Sequence, residues 1–257
     1  MYENTLAVYG CSHSTDHYGV PYGHFLAEKL GMNLHLRAAT GGNVGNHLEK
    51  LNFDLQNEKI DVVLLQLSQY FRWTTGFRHF DDKNWQWEED KTGNGARFKH
   101  IGMYTWRMRD EDYKFGSPLM DHFTPNYPVN GIHKFVTHEI VTSNWMRYQA
   151  CYDLFVFSSL CKKFNKPLFV FSWDYPLNAK ENNNFNYSDH GYLVPEWEHL
   201  LKDFGFIEQP VVNKGGFFTV KGFKPIEGDL THYGTDANEA LAIDFIYPKL
   251  ISYVSDL

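Results

Sequence analysis

Three side chains at the two ends of the chain could together break an ester: Ser12, Asp229 and His232. Ser12 lies in Gly10-Cys11-Ser12-His13-Ser14, directly behind a short apolar run. An alcohol is a weak nucleophile until a neighbouring base takes its proton. Asp229-Leu230-Thr231-His232 can supply that base. An aspartate three residues before a histidine can fold back onto the ring, bond Nδ1–H and leave Nε2 free to accept a proton. Each piece also has an ordinary reading. A serine here can simply cap a helix, and D-x-x-H is a common tetrapeptide.

Two further segments could bind a developing oxyanion. Gly41-Gly42-Asn43 can bring a backbone N–H close to a substrate, because glycine allows close backbone approach; a plain tight turn is the alternative. Gln66-Leu67-Ser68-Gln69 follows the most apolar run of the chain and offers side-chain donors at its end. Cys11 is a competing nucleophile, since a thiolate outperforms an alcohol. Adjacent turn residues usually point apart, so only one of Cys11 and Ser12 should face the site. His13 and His17, with Asp16, have a spacing that could hold zinc on a helix. No H-E-x-x-H accompanies them and His13 falls in a loop, so no metal site is expected. Asp121-His122 and Asp189-His190 read as solvated pairs in polar loops.

The elements that must place these groups follow an α/β pattern. Residues 5–10 form an apolar strand ending in glycine. Residues 18–30 carry a helical pattern, 33–38 a second strand and 44–55 a second helix. Residues 60–67 are apolar without alternation, which marks a strand buried on both faces. From about 70 to 134 the pattern breaks into an aromatic- and charge-rich stretch too long for an ordinary loop. A long helix near 135–164, a strand at 167–173, a helix near 195–204 and a short segment at 206–212 complete the core. A last helix is expected to start near Asp236, with Glu239 closing a capping box, and to run to about Tyr247. In open parallel sheets ligands bind beyond the carboxyl ends of the strands, which is where Ser12, Gly42 and Ser68 fall.

These blocks, in this order, resemble the SGNH/GDSL hydrolase family, over roughly the first 70 and last 120 residues. The resemblance implies a three-layer α/β/α sandwich of flavodoxin-like type. Its sheet would be mainly parallel and five-stranded, in order 2-1-3-4-5, with the aromatic insertion at about 70–134 inside a single domain spanning 1–257. It implies Ser12 as nucleophile and Asp229 and His232 as its partners. The oxyanion hole would comprise the N–H groups of Ser12 and Gly42, with Gly41 as the neighbouring register, and the Ser68 side chain. Two departures stand out. The usual G-D-S reads G-C-S-H, as in a less typical branch of the family. The usual G-x-N-D is replaced, so Ser68 stands where the asparagine belongs, with Gln69 as a substitute donor. Losing one such donor typically costs about a hundred- to a thousandfold in rate. The same departure suits a rival reading, a non-catalytic binding module on the same fold.

The implied reaction is hydrolysis of a carboxylic ester and needs no cofactor or metal. Trp73, Trp85, Trp87 and Trp106 could stack on sugar rings or build a small second core; Asn43, Arg72 and Trp73 are the candidate substrate contacts. Arg72, Arg78 and Arg107 suit either an acidic substrate or surface ion pairs. A small-molecule or glycan ester, such as an O-acetylated carbohydrate, is the expected substrate. A formal net charge of −7 argues against general nucleic-acid binding. No apolar stretch is long enough for a membrane span, and the start of the sequence lacks a signal-peptide pattern. A cytoplasmic protein is therefore expected, although packaging in a virion would leave no trace in the sequence. Oligomeric state leaves no signature either.

Overall fold

The computed structural model describes residues 2–38, 44–67, 72–78, 87–89, 96–98, 101–107, 143–172, 199–200, 202, 204–207, 216–227 and 232–254. A parallel sheet organises them. Strand β1 (Thr5–Gly10) pairs with β2 (Asn33–Ala38) on one side and β3 (Val62–Leu67) on the other. Four short strands follow, β4 (Arg72–Arg78), β5 (Trp87–Glu89), β6 (Ala96–Phe98) and β7 (Ile101–Arg107), joined as the antiparallel pairs β4–β7 and β5–β6. Strand β8 (Leu168–Ser172) extends the main sheet beside β3, and the three-residue β9 (Gly205–Ile207) edges it. The order is β2-β1-β3-β8-β9, four full strands and one short one.

Alternation along the strands sends side chains into two separate cores. Leu6 and Val8 of β1 join Leu64, Phe171 and Leu26 of helix α1 (Tyr22–Leu30) on one side. Ala7 and Tyr9 join Val63, Leu65, Leu51 of α2 (Val44–Asn57), and Leu154 and Phe157 of α3 (Ser143–Lys163) on the other. All six residues of β3 are buried, as a strand covered on both faces requires. Each large apolar side chain so enclosed contributes about 1.5–3 kcal/mol. After the short α4 (Phe217–Lys221), helix α5 (Thr235–Ala240) packs on the α1 side. It runs through a π-helical stretch, Leu241–Ile246, into α6 (Tyr247–Val254). The wider turn precedes Pro248, which lacks an N–H and would crowd the preceding turn of a regular helix.

The structure corrects two local expectations. Residues 18–21 are not α-helical: 3₁₀ turns occupy Ser12–Ser14 and Asp16–Tyr18, Gly19 has φ +114°, and Pro21 precedes the first turn of α1. A residue before proline avoids the α region, so Val20 cannot extend the helix backwards. The last helix is capped by Gly234, not Asp236, and continues past Tyr247 to Val254. Asp236 falls inside the first turn, where its charge suits the helix dipole. The expected helix near 135–164 is described as Ser143–Lys163, residues 135–142 lying outside the described set. No helix among the described residues is long and apolar enough to cross a membrane.

Candidate active site

The sheet delivers Ser12 from the end of its interior strand β1. β1 ends at Gly10, where a side chain would displace its neighbours: an added Cβ would overlap Ser14 Oγ and sit 2.9 Å from Gln66 Oε1. The chain then folds into a 3₁₀ turn in which Ser14 N–H donates to the Cys11 carbonyl at 2.9 Å. The Ser12 carbonyl accepts from the Thr15 N–H at 3.2 Å and the Thr15 hydroxyl at 2.8 Å. Neighbouring side chains leave this turn in different directions. Cys11, 1 % exposed, donates its thiol to Gln66 Oε1 at 3.2 Å. Ser12 Oγ lies 2.8 Å from Nε2 of His232, a partner 220 residues away.

Gln66 holds the turn from the adjacent strand. Its Oε1 accepts from the Cys11 N–H at 3.0 Å and the Ser14 hydroxyl at 3.1 Å, besides the Cys11 thiol. A backbone N–H can only donate, so this contact fixes which end of the amide is oxygen. Its Nε2 donates to the Leu67 carbonyl at 2.6 Å. Tyr22 OH and Ser14 Oγ, 2.8 Å apart, extend the chain of bonds into α1. From the other layer, His47 Nε2 lies 3.0 Å from the Gly10 carbonyl. A carbonyl accepts, so Nε2 carries the hydrogen. Burial, with Lys50 adding to it, pushes the His47 pKa down to about 3. The Gly10–Cys11 peptide is thus gripped at its oxygen by α2 and at its nitrogen by β3.

Below this peptide lies a buried ionic knot. Asp54 of α2 accepts from Tyr9 OH at 2.8 Å and from Arg37 Nε and Nη2 at 2.9 and 2.7 Å, with His35 Nε2 at 3.1 Å. Burial alone would raise the Asp54 pKa, but the bonds from His35, Arg37 and Tyr9 outweigh it and hold the carboxyl below its ordinary range. Burial, then Asp54, drives the Tyr9 phenol far above its usual pKa.

His232 is held differently. Its carbonyl accepts from the Ile226 N–H at 2.9 Å. Its ring stacks on Tyr18, centroids 3.7 Å apart and planes 16° apart, and packs at 4.4 Å and 33° against His13. The next residue, Tyr233, is buried and stacked on Phe218 at 3.9 Å, while its carbonyl accepts from Asn238 Nδ2 at 3.3 Å. His13 thus lies against an imidazole, and no group of three potential metal ligands occurs among the described residues.

Of the sequence-predicted site residues, Ser12 and His232 come together. Gly41, Gly42, Asn43, Ser68, Gln69 and Asp229 lie outside the described residues. Arg72 and Trp73 open β4, paired in the ladder with Arg107 and Trp106. Sequence reasoning missed the roles of Gln66, His47 and Tyr18. A polar residue inside an otherwise apolar strand was the available signal for Gln66.

No protein-family model matches the sequence, and no curated protein matches it. Solved structures do. A protein from Desulfitobacterium hafniense DCB-2 assigned to the G-D-S-L lipolytic family superposes with a TM-score of 0.50 at 7 % identity, covering 96 % of this chain and 100 % of that one. The chain has the fold of the SGNH/GDSL hydrolases. The Bacillus subtilis protein YXIM_BACsu gives a TM-score of 0.52 at 12 % identity, covering 97 % of this chain and 56 % of its own. The SGNH sheet order anticipated from the sequence, 2-1-3-4-5, is that of the main sheet here. Such a fold puts the carboxyl ends of its first and third strands side by side, which is why Gln66 can reach Cys11.

Proposed function

We propose that this protein is a serine ester hydrolase in which Ser12 attacks the carbonyl carbon and His232 takes the Ser12 proton at Nε2. The observation that carries the reading is the 2.8 Å approach of Ser12 Oγ to His232 Nε2. In this mechanism Asp229 bonds Nδ1–H and steadies the imidazolium. The N–H groups of Ser12 and Gly42, with the Ser68 hydroxyl, receive the oxyanion. The tetrahedral intermediate collapses as His232 returns the proton to the leaving alcohol. Water, deprotonated by His232, then attacks the acyl-enzyme and releases the acid and the free Ser12 hydroxyl.

The substrate we propose is a small acyl ester, such as an O-acetyl group, on a carbohydrate. Ser12 is only 5 % exposed, which favours a short acyl chain. Trp73 and Trp106 stand opposite one another in the β4–β7 ladder, and Asn43, Arg72 and Trp73 are the proposed contacts to the sugar. Fluorophosphonate labelling and p-nitrophenyl acetate turnover test the reaction. Both should be abolished in Ser12→Ala and strongly reduced in His232→Ala. Turnover equal in wild type and Ser12→Ala would favour a binding module on a hydrolase fold. Acetate release from acetylated, but not deacetylated, oligosaccharides tests the substrate class.

A further inference from the structure

We infer that Tyr18 is the positioning residue for the imidazole of His232, pressed against it by a brace between the first block of the chain and the start of α5. The inference rests on the reading of Ser12 and His232 as nucleophile and base.

An imidazole serving an alcohol must hold its ring rotation as well as its place, because the accepting lone pair lies in the ring plane. Hydrogen bonds can fix that plane, and so can a flat surface lying along it. Tyr18 supplies such a surface: its ring is 16° from parallel to His232 at 3.7 Å between centroids. Rotation of the imidazole out of this plane would drive its edge into the phenol ring. His13 packs at 4.4 Å, so two residues of the first block contact the ring whose Nε2 meets Ser12.

The stack is built into the backbone. Tyr18 closes the 3₁₀ turn Asp16–Tyr18, where the Gly19 N–H donates to the Asp16 carbonyl at 3.3 Å. Gly19 then takes φ +114°, a conformation that side-chain-bearing residues rarely adopt. A Cβ at this position would also lie 2.6 Å from Thr235 Oγ1. The next N–H, of Val20, donates to that same Thr235 oxygen at 3.2 Å. Thr235 is the first residue of α5, three positions after His232. Segments 18–20 and 232–235 therefore touch twice, once ring on ring and once N–H on hydroxyl. The glycine is what permits so close an approach.

The test uses the full chain as wild type, Tyr18→Phe, Tyr18→Leu, Thr235→Val and Thr235→Ser. The readouts are p-nitrophenyl acetate kinetics and the proton NMR signal of the His232 ring, assigned by its loss in His232→Ala. Tyr18→Phe keeps the flat face and should stay near wild-type kcat. Tyr18→Leu should lower kcat about ten- to a hundredfold at little changed KM, the scale of a small misplacement of a reacting group. The His232 ring signal should move downfield as the ring-current shielding disappears. Thr235→Val should lower kcat less, in the same direction, with Thr235→Ser restoring it. Wild-type kcat in Tyr18→Leu, a change confined to KM, or equal losses in Phe and Leu variants would each overturn the inference. Should Tyr18→Leu fail to fold, unchanged kcat in Thr235→Val overturns it instead. Absence of Ser12-dependent turnover in the wild type would remove the parent reading, whereas the NMR shift reports the stack independently of turnover.

Discussion

The two halves of the proposed catalytic pair are held by opposite means. Around Ser12 the structure is polar and directional: Gln66, His47 and Thr15 bond the backbone of the turn, and Asp54 anchors Tyr9 one residue before Gly10. Around His232 it is flat and aromatic: Tyr18 and His13 lie against the ring, and Tyr233 is stacked on Phe218. The difference follows from position. Ser12 follows an interior strand, where buried backbone groups must find partners. His232 lies between α4 and α5, and its ring packs against Tyr18 and His13.

The comparison can be broken most completely by removing its two ends. Ser12→Ala or His232→Ala should each lower kcat on the order of 10⁴-fold or more, and the double variant should be scarcely worse than either, because such residues act as a unit. Steady-state kinetics on all three would check this. Next in size, Asp54→Ala strands a buried guanidinium and should cost about 3–5 kcal/mol in urea unfolding, the range for breaking a buried ion pair. Gln66→Leu leaves the Cys11 N–H and Ser14 hydroxyl without their acceptor, a loss of about 1–3 kcal/mol for each buried group left unsatisfied. It should lower fluorophosphonate labelling as well as melting temperature, whereas a substitution on the aromatic side should spare stability more than rate.

A pH dependence sharpens the contrast further. The folded-state pKa of His47 is pushed down to about 3 from an ordinary 6.5. Between those values the unfolded chain holds a proton that the folded chain does not, so stability is full above about 6.5 and falls as the pH drops towards 3. The slope approaches about 1.4 kcal/mol per pH unit for one group. Urea midpoints from pH 7 to 4 should therefore decline less steeply in His47→Gln than in wild type. A parallel decline would mean that His47 is not neutral in the fold.

Much of the framework was legible because it rests on pattern. The unbroken apolar run ending at Leu67 announced a strand buried on both faces, and β3 is buried at every position. Ser12 and His232 meet as their positions suggest, one directly after the first strand and the other shortly before the last helix. Gln66 is not legible in this way, since the family pattern points to Ser68 beyond the strand end, whereas the side chain of residue 66 turns towards Cys11. Tyr18 was absorbed into a helical period that Gly19 and Pro21 interrupt. Asp236 had the spacing of a cap, but the helix begins one residue earlier, at Thr235, whose hydroxyl accepts from Val20.

The 220 residues separating Ser12 from His232 also set an order in time. On the proposed reading, the serine stays a plain alcohol during synthesis until residue 232 has been made and brought to it. Its proposed activation would then coincide with closure of the tertiary structure, and a chain truncated before residue 232 should fail to label at Ser12. Reactivity towards a phosphonate probe would then report completed assembly, and a pulse-chase with such a probe would date the moment at which the two ends meet.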